Sequence, residues 1–465
     1  MRSQLVVQQN DTIVALATPP GRSGIGVIRL SGSQSLRILR ILVAAPEFNP
    51  PPNVLTLRHL FDPATNQILD QALVCYFKAP HSFTGEDVVE FHCHGSPLLL
   101  RAIIDLTLSL AARMASPGEF SLRAVANGRM KLSQAEAIRD LVDAQTDAAI
   151  RQATRQMQGA ISSALQPLQD QLLKLIVRLE SSLEFVEDDL PPTEHRQMVA
   201  TLEGVRSQFE QMTGTFCRGR LLRDGLKVTL VGRPNSGKSS VFNKLLGHSR
   251  AIVTDIPGTT RDAITESIGV GGIPINITDT AGLRVSSDEV EAIGVDRTKR
   301  EAADSDLLIV VVDGSQPLTS EDRVVLADTA NRRRIVALNK SDLSTFSRAR
   351  LGEYFPAEHE SLKAICVSAK TGSGIDPLRD AITQPFANGN LNGEGLLITN
   401  ARHYDLLVRA TEAIRSSESL LMDRASEELT LVGLHNALRY LGELTGETTS
   451  DEILGEIFST FCIGK

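Results

Sequence analysis

One octapeptide constrains this chain more than any other: Gly232-Arg233-Pro234-Asn235-Ser236-Gly237-Lys238-Ser239. It fits the G-x-x-x-x-G-K-S/T pattern of a phosphate-binding loop. The apolar run Val228-Thr229-Leu230-Val231 before it predicts a buried strand. Ser240 to Leu246 after it predicts a helix that stops near Gly247. Strand, loop and helix in that order aim backbone N–H groups and a helix N-terminus at an anionic phosphate. In such a loop Lys238 reaches the β/γ-phosphates and Ser239 offers its hydroxyl to Mg2+. A Gly-rich turn could match by chance, so the reading depends on the residues downstream of the loop.

Four short motifs come after it in the order that a GTPase requires. Thr259-Thr260, within Ile256-Pro257-Gly258-Thr259-Thr260-Arg261-Asp262, can offer a hydroxyl and an N–H to Mg2+ and the γ-phosphate; Thr260 is assigned to the metal. In Asp279-Thr280-Ala281-Gly282 the carboxylate can hold a Mg2+-bound water and the glycine N–H can sense the γ-phosphate. In Asn339-Lys340-Ser341-Asp342 the Asp342 carboxylate can accept from the N1–H and 2-amino group of guanine. Adenine lacks that donor pair and would leave the acceptor unpaired. Ser368-Ala369-Lys370 completes the base pocket. Each motif is weak alone, but five in sequence at predicted strand ends are specific. The positioning of water is less direct. Leu283 stands where Ras-like proteins carry Gln and cannot orient water, and no arginine finger is evident. Asn235 could help hold a monovalent cation in the finger's place. The acidic run Asp288-Glu289-Val290-Glu291 could act on water, or could be surface helix charge.

At 465 residues the chain has room for about three domains, at ~150 residues each. Its formal net charge of −8 argues against a generic salt-driven nucleic-acid binder. RNA contact would need a local patch, with Arg218, Arg220 and Arg223 or Arg151 and Arg155 as candidates, or a partner protein. Five scattered cysteines suit a reducing compartment. Residues 1–11 lack the apolar core of a signal sequence, and Arg101 and Asp105 break the longest apolar stretch, so a cytoplasmic protein with no membrane contact is expected.

Thr12–Ala17, Gly26–Leu30, Leu69–Phe77 and Asp87–Cys93 read as strands, and Ser33–Val43 and Pro97–Ala112 as helices. His92 and His94 share a strand face that Cys93 leaves, and no second cluster completes a metal set. Ser133-Gln134-Ala135-Glu136 is a capping-box pattern opening a long helix that runs on through Ala137, Leu141, Ala144 and Ala148. A second seam runs Ile161, Leu165, Leu168, Leu172, Leu175, Leu179 and Leu183, with Pro167 expected to kink or divide it. A helix over 196–216 leads to the phosphate loop. Strands are expected at Lys227–Val231, Ile273–Thr278, Leu307–Val312, Ile335–Leu338 and Ala364–Val367. Beyond a flexible linker from Gln384 to Gly395, helices resume at 401–423, 426–444 and 450–461. The expected fold is multidomain, α/β and all-α. An α+β domain spans 1–126. A helical domain has halves at 127–220 and 385–465. A Ras-like P-loop domain with a mostly parallel sheet is inserted between them at 221–384.

With these motifs in place, the chain resembles the tRNA-modification GTPases of the MnmE (TrmE) family over essentially its whole length. The signatures are Asp11-Thr12-Ile13-Val14, Thr18 to Gly26, Ser82 to Asp87, Pro117-Gly118-Glu119-Phe120, Leu132 to Glu136 and the terminal Phe458-Ser459-Thr460-Phe461-Cys462-Ile463-Gly464-Lys465. The resemblance implies a homodimer whose N-terminal domain binds a tetrahydrofolate one-carbon donor (5,10-methylene or 5-formyl). Its GTPase domains associate with K+. With a flavin-dependent partner of the MnmG (GidA) type, it adds an aminomethyl-type group to C5 of the wobble uridine (U34) of certain tRNAs. The family pattern assigns K+ to Asn235, Thr254, Ile256 and Thr259, and Mg2+ to Ser239 and Thr260. It makes Glu291 the carboxylate that positions the attacking water. The GTP set it implies is Asn235, Ser236, Gly237, Lys238, Ser239, Ser240, Thr254, Asp255, Ile256, Pro257, Gly258, Thr259, Thr260, Asp279, Thr280, Ala281, Gly282, Asn339, Lys340, Asp342, Ser368, Ala369 and Lys370. For folate it points to Arg29, Glu86, Arg129 and Lys465, which could grip carboxylates and the polar ring edge. Arg129 stands where the family usually has Lys, which keeps the charge and changes the geometry. Cys462 matches the family and is given no catalytic step. Two alternatives remain open from sequence: a regulatory GTPase switch in ribosome assembly or stress signalling, and a folate carrier with a vestigial GTPase.

Overall fold

The structure is a computed structural model that describes residues 11–184, 192–247, 264–279, 304–348, 364–384, 395–424 and 427–464. The chain divides into two compact units. One comprises residues 1–139, 155–207 and 406–465, the other 140–154 and 208–405.

The first unit holds a six-stranded sheet of order β3-β4-β5-β2-β1-β6. Its strands are β1 (Thr12–Leu16), β2 (Ser23–Ser31), β3 (Thr56–Phe61), β4 (Ile68–Phe77), β5 (Val88–Gly95) and β6 (Ala112–Met114). All pairings are antiparallel except β1 with β6. Alternate residues of each strand reach one face. There Val14, Ile28, Leu30, Val74 and Phe91 are buried with Ile38 and Leu39 of the Ser35–Leu42 helix and Leu100 and Ile103 of the Pro97–Ser109 helix. On the opposite face Ile13 and Ala15 pack with Phe120 of the Glu119–Ala126 helix. Neither β3 nor β6 was expected from the sequence. The predicted helix to Ala112 ends at Ser109 because Ala111 turns to φ +77° and starts a strand.

The helical seam is buried as expected from Ile161 to Leu179, but Leu183 is exposed. The chain does not divide at Pro167, which lies inside one helix, Ala160–Glu184. That helix packs against Glu427–Thr445, with Ser182 donating to Glu427 at 2.9 Å. The capping box at Ser133 is displaced. The helix starts at Leu132, Ser133 Oγ is buried without a hydrogen-bond partner, and Gln134 instead accepts from the Lys131 N–H at 2.9 Å. The predicted long helix is two, Leu132–Asp143 and Asp147–Met157; Thr146 Oγ1 accepts from the Ala149 N–H and starts the second.

The second unit holds a sheet of order β12-β11-β10-β7-β9-β8. Its strands are β7 (Leu226–Val231), β8 (Ile264–Val270), β9 (Ile273–Asp279), β10 (Leu307–Asp313), β11 (Arg334–Asn339) and β12 (Ala364–Cys366). Every pairing is parallel except β8 with β9. β10 is buried along its whole length, as a central parallel strand covered on both faces must be. The phosphate loop leaves β7 where its neighbours are β9 and β10. That is the switch point of an open α/β sheet, where ligands bind beyond the carboxyl ends of the strands.

Candidate functional site

The phosphate loop is shaped by three backbone positions. Gly232 sits at φ +152°, and a Cβ there would lie 2.3 Å from the Val311 carbonyl oxygen. Gly237 sits at φ +95°, and a Cβ there would lie 2.1 Å from Asn339 Nδ2. Asn235, at φ +59°, is left-handed as well. Gly237 is also the N-cap of the Lys238–Leu246 helix and has no side chain to cap its first-turn N–H groups. Lys238 Nζ donates to the Gly232 and Arg233 carbonyls at 2.8 and 2.9 Å, which keeps its ammonium over the loop. Asn235, Ser239 and Ser240 are exposed, whereas Ser236 is buried. A backbone hollow with a cation above it and hydroxyls at a helix start fits a nucleotide phosphate chain with its Mg2+.

The base-reading loops are fastened to this cradle. Asn339, 2% exposed at the end of β11, donates through Nδ2 to the Ser236 carbonyl at 3.0 Å and accepts through Oδ1 from the Ala369 N–H at 3.1 Å. One amide thus fixes the phosphate loop and the Ser368–Lys370 loop together. Ser368 Oγ donates to Asp342 Oδ1 at 2.7 Å. That bond holds the Asp342 carboxyl below the usual range, with Lys370 adding a smaller pull, so Asp342 is an ionised acceptor. Lys340, at φ +67°, donates to Asp313 Oδ2 at 2.7 Å.

Asp279 closes β9, in register beside Leu230 of β7. Thr254 to Thr260, Thr280 to Gly282, Glu291 and Lys465 lie outside the described residues. Of the Mg2+ pair only Ser239 is described, and of the K+ set only Asn235.

A second charged site lies on the first unit. Arg29 Nε donates to Glu90 at 2.8 Å, and Arg29 Nη1 donates to the Gly464 carbonyl at 3.0 Å. The penultimate residue is therefore held on the N-terminal sheet. Gly464 is at φ +96°, and a Cβ there would meet the Leu16 carbonyl oxygen at 2.7 Å. Glu86 accepts from Ser31 Oγ at 2.6 Å and from Arg123 Nη1 at 3.1 Å. Arg129 Nε donates to the Ser82 carbonyl at 3.1 Å. Arg129 also lines a cavity of about 290 Å³ with Lys131, Gln134 and Glu447. Cationic and carboxylate groups on a sheet closed by the tail fit a ligand with both carboxylates and a donor-rich ring.

Sequence reasoning missed the centre of this region. Arg123 is 1% exposed and pairs with Asp11 at 2.6 Å, Glu119 at 2.9 Å and Glu86 at 3.1 Å; Arg113 forks onto Glu119 at 2.5 and 2.8 Å. Burial alone would push the Asp11 and Glu119 carboxyls up, but the two guanidinium groups outweigh it and hold both below the usual range. The signal was present in that Asp11 and Glu119 both fall inside family signatures. His92 meets Glu90 at 3.2 Å and His94 meets Asp70 at 2.6 Å, and no metal-holding cluster occurs among the described residues. Of the basic candidates for RNA, Arg220 and Arg223 pair with Asp306 and Asp140.

A phosphate loop at the switch point of a mostly parallel sheet, tied by Asn339 to a base-reading loop, defines a P-loop GTPase domain. Residues 12–129 match the family model of the GTP-binding protein TrmE N-terminus, and residues 132–462 that of the MnmE helical domain. The tRNA modification GTPase MnmE of Koribacter versatilis is 41% identical over 459 residues, 98% of this chain and 99% of that protein. The one from Aquifex aeolicus is 40% identical over 456 residues, 98% of this chain and 100% of that protein. Among solved structures, the G domain of the T. maritima FeoB iron transporter is 27% identical, covering 35% of this chain and 99% of that one, with a TM-score of 0.26. The chain belongs to the MnmE family of tRNA modification GTPases and is an enzyme that hydrolyses GTP. No helix among the described residues is long and apolar enough to cross a membrane.

Proposed function

We propose that this chain is a K+-stimulated GTP hydrolase of the cytoplasm. With a flavin-dependent partner of the MnmG type, it installs an aminomethyl-type group at C5 of the wobble uridine of certain tRNAs. It works as a homodimer, joined to the flavoprotein in a heterotetramer. Its parts are an N-terminal folate domain over 1–126, a helical domain in halves at 127–220 and 385–465, and the GTPase domain between. Lys238 and the loop N–H groups bind the β/γ-phosphates. Asp342 accepts from the guanine edge, with Ser368 holding its carboxylate ionised. Ser239 and Thr260 hold Mg2+; Asn235, Thr254, Ile256 and Thr259 hold K+; Glu291 orients the attacking water. Arg29, Glu86, Arg129 and Lys465 bind the tetrahydrofolate. When bound, the cations offset charge on the phosphoryl oxygens and the folate supplies the one-carbon unit.

The observation that supports this reading most is the Arg29 contact to Gly464, because a pure nucleotide switch has no use for a C-terminal tail held on the N-terminal sheet. The deciding experiment measures GTP turnover in K+ and in Na+, with and without the flavoprotein, alongside mass spectrometry of wobble uridines in a deletion strain. Faster turnover in K+ and a lost uridine modification are expected. Equal rates in both salts reject the cation role, and an unchanged uridine profile rejects the modification role.

A further inference from the structure

Asp313 is the last residue of β10, lies outside every motif of the sequence, and is 3% exposed. Both of its oxygens are occupied. Oδ1 accepts from the Ser315 N–H at 3.0 Å and from Ser315 Oγ at 2.6 Å. Oδ2 faces two cations, Lys340 Nζ at 2.7 Å and Arg233 Nη2 at 3.7 Å. Lys340 belongs to the base-reading loop and Arg233 to the phosphate loop, and the Arg233 carbonyl is one of the two that hold Lys238. A run of polar contacts therefore leads from the phosphate lysine through the backbone carbonyl and then the side chain of Arg233 to Asp313 and the lysine of the guanine loop.

The arrangement is built to hold Lys340 in place. Lys340 is a non-glycine residue at φ +67°, a conformation that persists only where its surroundings fix it. Its ammonium is anchored on Asp313. The backbone on either side is anchored as well, with Gly314 N–H donating to the Asn339 carbonyl at 3.0 Å and Ser341 N–H to the Val367 carbonyl at 3.1 Å. Burial pushes the Asp313 carboxyl up, but the hydrogen bonds from Lys340 and Ser315 prevail and hold it below the usual range, so it stays ionised. Arg233 has a second carboxylate, Asp322, at 3.1 Å. Among the described residues Lys340 has Asp313 alone.

We propose that Asp313 is a positioning residue for guanine selectivity: it seats Lys340 against the phosphate-loop residue Arg233, so that the base-reading loop is in place only when the phosphate loop is. The proposal rests on the GTPase assignment and not on the folate or tRNA reading. Without the carboxylate Arg233 keeps Asp322, but Lys340, which has no second carboxylate among the described residues, loses its counter-charge and swings out.

The test is a double-mutant cycle on GDP and ADP affinity, measured by calorimetry with the full chain. Asp313→Asn is expected to weaken GDP binding at least about tenfold and to lower the GDP-over-ADP preference by a similar factor, the size expected for a lost buried partner. In a Lys340→Met background the same substitution is expected to cost under about twofold, because its target is already gone. A merely structural aspartate would weaken both nucleotides equally and add fully to Lys340→Met; either result overturns the proposal, as does unchanged GDP binding. Should Asp313→Asn fail to fold, Asp313→Glu is carried through the same cycle. Retained selectivity in that variant, with the carboxylate one methylene out of register, overturns the proposal as well.

Discussion

Replacing Arg123 with methionine removes the charge at the centre of the first unit while keeping an unbranched apolar stem. The size of the effect depends on what each carboxylate has left. Glu119 keeps the Arg113 fork at 2.5 and 2.8 Å, and Asp11 keeps Arg113 Nε at 2.5 Å. Among the described residues, the Glu86 carboxylate keeps the neutral Ser31 hydroxyl. One carboxylate is thus left without a counter-charge, so the loss falls at the low end of that for a broken buried pair, about 3 kcal/mol. For a unit of this size that is about 6–12 °C in the midpoint of its calorimetric transition at pH 7. The pH dependence separates charge from packing. Asp11 and Glu119 have depressed values in the folded state, so the stability they confer is present above the ordinary carboxylate range and lost as pH falls through the depressed values. The variant relaxes that depression, so its deficit should shrink as pH falls below the ordinary carboxylate range. A shift under about 2 °C at neutral pH, or a deficit of constant size down to acid pH, refutes the electrostatic account.

Glu291→Ala should leave GTP affinity within about twofold and abolish turnover, as loss of a water-positioning group does; near-normal turnover in a phosphate-release assay removes Glu291 from the mechanism. Asp342→Asn should weaken guanine nucleotides by at least about 100-fold and move preference toward xanthine, whose ring can accept where guanine donates; an unchanged base preference in competition binding places the pocket elsewhere. The Cys93 thiol is pushed up to about 12 by burial, with Asp70 adding to it, and Cys75 is also raised, while Cys217 and Cys462 are exposed. Iodoacetamide at pH 8 should therefore label Cys217 and Cys462 and spare Cys75 and Cys93 in mass spectra of the folded protein, and labelling of Cys93 would contradict its burial.

What could be read in advance was what lies close together along the chain. The phosphate loop, the Asn339–Asp342 loop and the apolar runs of β7, β10 and β11 carry their physics within a few residues, and each sits in the strand-end context that its spacing predicted. β8 was missed although a signal existed. Gly271-Gly272, at φ +59° and +86°, makes the two-glycine turn that pairs β8 with β9. β3 was missed because its middle is Arg58 and His59, exposed on an edge strand whose burial does not alternate. The capping box slipped because a Ser-x-x-Glu spacing cannot tell a hydroxyl at the helix start from one already inside it, and here Gln134, accepting from the Lys131 N–H, took the role expected of Glu136.

The harder omissions share one cause. Arg123 reaches Asp11 across 112 positions, Arg29 reaches Gly464 across 435, and Asn339 reaches Ser236 across 103. No window of sequence holds both ends of such a pair. What the sequence does hold is Asp11 and Glu119 in short signatures, Gly464 in the terminal motif, and Asn339 and Ser236 in two separate motifs with nothing in either to pair them. A motif in this protein therefore marks residues whose neighbours are local, and the fold supplies their distant partners. Asp313 is the limiting case: a buried carboxylate that follows six apolar residues at the end of β10, in no motif at all, beside two motif cations. A charge ending a fully buried strand must find a partner at the sheet's carboxyl edge. In an open α/β sheet that edge is where the ligand loops gather, so an acidic residue in such a position can be read as part of the site even when no pattern includes it.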